Sequence, residues 1–123
     1  MELKILPCPL SVVRLAPETP LPHWVFDSAF FSLTRTDDEL SIFCETRVVP
    51  EGIQAAHGWR CFRVAGQIDL EFAGILSSLA LPLATRQISV FSISTHDTDY
   101  MVLQEKSLED AVDVLTRAGH IFV

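Results

Sequence analysis

The residues best equipped for chemistry in this sequence sit in one short run, Thr95-His96-Asp97-Thr98-Asp99. It offers carboxylates, hydroxyls and an imidazole within five positions, enough to grip a small charged molecule. The same composition also serves an ordinary hairpin turn, because Asp and Thr side chains bond nearby backbone. A metal is a third reading for His96, Asp97 and Asp99. Strand alternation puts neighbours on opposite faces, however, and no second His stands at ligand spacing, so no metal is expected. Cys44 and Cys61 lie in apolar stretches and read as small core residues. Cys8, between Pro7 and Pro9, has no neighbouring base to activate it. A nucleophile pair of Cys61 with His57 or His120 stays open, although any chain with three Cys and four His supplies such pairs. Trp24 and Trp59 read as core or interface anchors rather than a stacking platform. No catalytic residue and no cofactor is identified.

These residues must be held by elements, and the elements repeat. An offset of 60 pairs Phe31-Ser32-Leu33-Thr34 with Phe91-Ser92-Ile93-Ser94, Asp37 with Asp97 and Glu39 with Asp99. Each copy reads as a strand, a polar turn and a second strand. Two units are expected, at 1–57 and 58–123. In the second, Trp59–Ala65 is a strand. Phe72, Ile75, Leu76 and Leu79 follow helical spacing from Glu71, and Pro82 kinks or ends that helix. Ile88–Ser94 and Asp99–Leu103 are paired strands. Ser107-Leu108-Glu109-Asp110 resembles a capping box that opens a helix with Leu108, Ala111, Val112, Leu115 and Ala118 on its apolar face. Gly119 stops it, and His120–Val123 is a last short strand. That order, βαββαβ, is a split βαβ: an α+β, ferredoxin-like unit with four strands and helices on one face. The first unit is a shortened copy: strand Ser11–Ala16, a loop or helical turn over Pro20–Asp27, strands Ala29–Arg35 and Glu39–Arg47, then loop or one short turn from Val48 to Gly58.

Composition narrows the partners. Nine Lys and Arg face 16 Asp and Glu, a formal charge of −7, which disfavours nucleic acid and anionic membrane. A hydrophobic fraction of 49% argues for a folded core rather than disorder. The longest apolar stretch, Ala73–Ala84, is interrupted by Ser77, Ser78 and Pro82 and falls short of the roughly 18 residues of a membrane span. Prolines interrupt the N-terminus where a signal peptide needs an unbroken apolar run. The odd cysteine count, without CxxC spacing, speaks against a disulfide framework. A cytoplasmic protein is expected.

The segment Ile88–Leu103 followed by Ser107-Leu108-Glu109-Asp110-Ala111 resembles the ACT-domain family of small-molecule-binding regulatory modules. Within it the likeness is to the small tandem-ACT branch related to the cytosolic arginine sensor, whose first helix Glu71-Phe72-Ala73-Gly74-Ile75-Leu76 also resembles. The resemblance covers most of 58–123 and implies tandem ACT units, an amino-acid or related metabolite ligand, a homodimer and no catalysis. By motif it carries ligand contacts onto Phe72, Ala73, Gly74, Thr95, His96 and Asp99. The branch's acidic residue near the helix start stands here as Phe72, which turns the expectation away from arginine itself. The chemistry suits such a ligand. A helix N-terminus offers free N–H groups to a carboxylate, Gly74 lets a ligand approach the backbone, and Asp99 can take an ammonium. The alternatives are an ACT-like module that only docks a partner, or a small enzyme.

Overall fold

Leu40, Ile42 and Cys44 alternate with Ser41 and Phe43, and all three are fully buried. Such period-two burial makes a strand with one covered face. The computed structural model describes residues 1–65 and 74–123. Its elements in chain order are β1 Glu2–Ile5, β2 Leu10–Leu15, β3 Phe31–Arg35, β4 Leu40–Glu45, β5 Ala56–Val64, α1 Ile75–Thr85, β6 Val90–Ser94, β7 Asp99–Gln104, α2 Leu108–Arg117 and β8 Ile121–Phe122. Short 3-10 turns occupy His23–Asp27, Thr46–Val48 and Glu105–Ser107. Two units form: Cys8–Gly58, and Met1–Pro7 together with Trp59–Val123.

In the Cys8–Gly58 unit, β4 pairs antiparallel with β2 on one side and β3 on the other. Val13, Leu40, Ile42 and Cys44 pack with Val25, and Trp24, Val48 and Ile53 close over them. The helical turn, His23–Asp27, falls within Pro20–Asp27 as the sequence puts it, whereas the loop after Val48 ends sooner than expected because β5 begins at Ala56 rather than Trp59.

The other unit carries the expected β-α-β-β-α-β order in β5, α1, β6, β7, α2 and β8. Phe62, Val64, Met101 and Leu103 bury one sheet face against Ile75, Leu79 and Leu83 of α1 and Ala111 and Leu115 of α2. The sheet is wider than expected. β1 pairs antiparallel with β5 and parallel with β8, so the sheet has five strands rather than four. Only Leu3 and Ile5 mark β1 before Pro7 interrupts, too short a pattern to register as a strand.

Three further local readings meet the structure at α1 and α2. α1 begins at Ile75 after Gly74, which takes the left-handed φ of 87° that favours glycine. The expected start at Glu71, with Phe72 and Ala73, lies outside the described residues. The Ser107 capping box does not form: Ser107 sits in the helical region, continuing the turn before it, and makes no side-chain cap bond. Pro82 neither ends nor opens α1, which runs on to Thr85. Proline has no N–H for the Ser78 carbonyl one turn back. Nε2 of His120 lies 3.2 Å from that oxygen and donates to it instead. His120 is itself 8% exposed, so the bond forms in a nearly dry setting, with a net worth of about 1 kcal/mol.

Candidate functional site

The turn between β6 and β7 is built by its threonines. The Thr95 N–H donates to the Thr98 carbonyl at 2.9 Å, and the Thr95 hydroxyl donates to the same oxygen at 3.1 Å. The Thr95 Oγ1 also accepts the Thr98 N–H at 3.2 Å. Thr98, which is 4% exposed, sends its hydroxyl to the Val64 carbonyl at 2.9 Å. That bond fastens the turn to the end of β5.

Asp99 opens β7 directly after this turn, paired with Ser94. Alternation puts it on the same face as Met101 and Leu103, the face the helices cover. It is half-buried, and its Oδ1 accepts a 2.6 Å bond from the Ser94 hydroxyl. Among the described residues no bond is made to the second carboxylate oxygen, so the site can hold a cation at the rim of an apolar layer.

The β3–β4 hairpin shows what is unusual about this. Its closing pair is Arg35 with Leu40, as that of β6–β7 is Ser94 with Asp99. The Thr36 N–H donates to the Glu39 carbonyl at 2.8 Å, the counterpart of the Thr95–Thr98 bond. The Thr36 Oγ1 accepts from the Glu39 N–H at 3.2 Å. The hairpins therefore correspond at an offset of 59 residues, not the 60 read from the sequence. The corrected offset matches Asp99 with Leu40 rather than with Glu39, and Leu40 is fully buried core.

The other expected contacts are distributed as follows. Gly74 is exposed, and its carbonyl accepts from the Ser78 N–H at 2.9 Å and the Ser77 hydroxyl at 3.1 Å. Phe72 and Ala73 lie outside the described residues. The Thr95 hydroxyl is engaged within the turn. His96 projects into solvent, its Nδ1 2.9 Å from the Asp97 carboxylate.

The nucleophile pair does not assemble. Burial pushes the Cys61 thiol up to about 12, its Sγ rests 3.7 Å from the Phe62 carbonyl, and His120 is held by Ser78. Burial, with Glu45 beside it, likewise raises Cys44 to about 11. His57 meets Ser11 instead, with Nδ1 2.6 Å from Oγ, and Thr46 Oγ1 is 2.7 Å from that same oxygen. Ser11 is fully buried, so this chain of bonds braces the fold rather than presenting a nucleophile. Among the described residues no group of three or more His, Cys, Asp and Glu is placed to hold a metal ion.

Sequence reading also missed Glu45. Its carboxylate is 4% exposed and is held down to about 2 by the Cys8 thiol, the Ala29 N–H and the Arg47 guanidinium, against the opposing effect of burial. The Arg47 Nη2 lies 3.0 Å from Oε1. A carboxylate so stabilised is a poor base for Cys8, and the cluster ties the end of β4 to the segment before β3.

A family model described as ACT domain matches residues 54–117, and a second, described as an N-terminal domain, matches 10–52. The human cytosolic arginine sensor for mTORC1 subunit 1 is 35% identical over 60 residues, 48% of this chain. This stretch is 18% of the sensor, so the chain spans well under two thirds of that relative's length. A solved protein of Agrobacterium tumefaciens is 37% identical with a TM-score of 0.92, covering 99% of this chain and 91% of that one. The regulatory subunit of aspartate kinase from Thermus thermophilus shares the fold at 9% identity and a TM-score of 0.66, covering 91% and 93% of the two chains.

Proposed function

The chain belongs to the ACT-domain family, and on that premise we propose that it is a regulatory protein that binds a free amino acid and carries out no reaction of its own. The observation that carries this reading is Asp99, a half-buried carboxylate where the matching hairpin places the core residue Leu40. A strand gains nothing by replacing buried leucine with a charge, so the carboxylate calls for a ligand.

In this reading Asp99 pairs with the ligand's ammonium, and the backbone amides from Phe72 through Gly74 take its carboxylate. Thr95 holds the turn in the shape that presents Asp99, and His96 lies at the rim, within reach of the ligand's side chain. Charge-assisted bonds of about 1.5–3 kcal/mol each, less the cost of association, lead to a dissociation constant on the order of micromolar to millimolar. Phe72 favours a ligand without a second cationic group. The two units act as tandem ACT modules, the first shortened, in a cytoplasmic homodimer. The arginine-sensing relative supports the class of ligand, not its identity.

A thermal-shift screen against the common amino acids at millimolar concentration tests the proposal. A ligand at 100 times its dissociation constant adds about 2.7 kcal/mol, several degrees for a chain of this size. The expected result is a shift with one or a few amino acids that disappears in Asp99→Ala. A shift undiminished in that variant removes the site assignment. A flat screen removes amino-acid sensing and leaves a module that docks a protein partner.

A further inference from the structure

Beyond the Asp99 turn, the Cys8–Gly58 unit has a cavity of its own. Val12, Arg14, Gln54, Ala55 and Ala56 line a volume of about 450 Å³. That lies within the span of small-ligand sites, roughly 300–1,000 Å³. We propose that this cavity binds a small organic carboxylate lacking an amino group.

The lining decides the chemistry. Arg14 brings a guanidinium, Gln54 an amide, and Val12, Ala55 and Ala56 an apolar wall. One nitrogen of Arg14, Nη2, donates to the Asp38 carbonyl at 2.9 Å, which steadies the side chain. The bond is to backbone oxygen, so it leaves the positive charge uncompensated. Arg47, Arg60, Arg86 and Arg117 each meet a carboxylate, whereas Arg14 has no ion pair among the described residues. In a chain of net charge −7, a cation facing a cavity without its own counter-ion is suited to an incoming anion. A planar carboxylate matches the guanidinium fork.

The same lining excludes an amino acid as the preferred ligand. It contains no acidic side chain to take an ammonium group, so an α-amine entering here would lose water without gaining a partner. The site thus differs in kind from the Asp99 turn, and it stands whether or not that turn binds a ligand. The acidic residues Asp37, Asp38 and Glu39 lie in the turn that Arg14 touches, the first two of them exposed, and their charges hold affinity to the millimolar range.

Titrating the isotope-labelled full chain with butanoate, and in parallel with neutral butanamide of the same shape, tests this by amide NMR. The expected result is saturable shifts at Arg14, Gln54, Ala55 and Ala56 with butanoate, and binding at least about tenfold weaker with butanamide. Arg14→Met abolishes the butanoate response. Ala56→Leu, which fills the cavity and leaves Arg14 in place, abolishes it too and decides the matter should Arg14→Met fail to fold. Equal binding of acid and amide, an unchanged response in either folded variant, or shifts confined to Gly74 and residues 95–99 overturns the proposal.

Discussion

The β3–β4 and β6–β7 hairpins are built on the same turn and part company at one residue. Each has four residues between its closing pair, a threonine at the first of them, and a bond from that threonine's N–H to the carbonyl of the fourth. After the turn, Leu40 enters the core of one unit while Asp99 stands half-buried beside Ser94 in the other. The shared scaffold shows that the turn requires no carboxylate at the strand position that follows it. Turn chemistry accounts for Thr36 and Thr95 alike, so what remains unexplained by folding is concentrated in Asp99.

Exchanging the two residues is the strongest way to break this comparison. Leu40→Asp places a charge among Val13, Ile42 and Cys44 and should cost more than about 3 kcal/mol, seen as loss of the native urea transition. Asp99→Leu should do the reverse. It makes the β6–β7 hairpin resemble its counterpart, raises stability by about 1 kcal/mol through added apolar burial, and abolishes the amino-acid response. A large loss of stability in Asp99→Leu would show that the carboxylate serves the fold.

Acid should also separate the two regions. The Glu45 carboxyl is held at about 2, below its ordinary 4.5, first by the Cys8 thiol and then by the Ala29 N–H and Arg47. The unfolded chain therefore takes up the proton before the folded one. The stabilisation is complete above about 4.5 and is lost as pH falls toward about 2. Urea midpoints measured across that window should decline in the parent chain and flatten in Glu45→Gln. A decline equally steep in both would place the acid sensitivity elsewhere.

How far the sequence carried this picture follows from the range over which each signal acts. Alternation within four to six residues marked both hairpins, and the apolar face of α2 marked that helix. β1 escaped because two apolar positions before a proline make no period. The one-residue error in the repeat arose because composition fixes a turn's neighbourhood and not its register. Register is set by which residues bury, and that separates Glu39 from Leu40. Asp99 stood out through the family resemblance, since a turn-forming Asp and a ligand-binding Asp look alike in sequence. Glu45 with Ala29, Ser11 with His57 and His120 with Ser78 are contacts between residues 16 to 46 positions apart, beyond any local pattern.

The last of those contacts sharpens the contrast, because the helix-covered face that makes Asp99 unusual depends on α1 surviving Pro82. His120→Ala leaves the Ser78 carbonyl without its replacement donor and should cost about 1–3 kcal/mol. Pro82→Ala restores the backbone donor, so His120→Ala made in that background should cost about 1 kcal/mol less. A double-mutant cycle in denaturant measures the difference. Additive costs would mean that His120 acts by packing alone.

The smallest effects come from the threonines, and they isolate function from folding most cleanly. Thr36→Val and Thr95→Val each remove a hydroxyl that bonds backbone within its own turn, so each should cost about 1 kcal/mol in stability. Each variant loses two bonds: Thr36→Val those from the Asp38 and Glu39 N–H groups, Thr95→Val the one accepted from the Thr98 N–H and the one donated to the Thr98 carbonyl. The stability costs should therefore be similar. Ligand affinity should not follow that pattern. Loosening the turn that sets Asp99 weakens amino-acid binding several-fold in Thr95→Val, whereas Thr36→Val leaves the titration of the same amino acid unchanged. Equal effects on binding would mean that the response follows global stability, and the distinction between the two hairpins would then lie in their cores and not in a site.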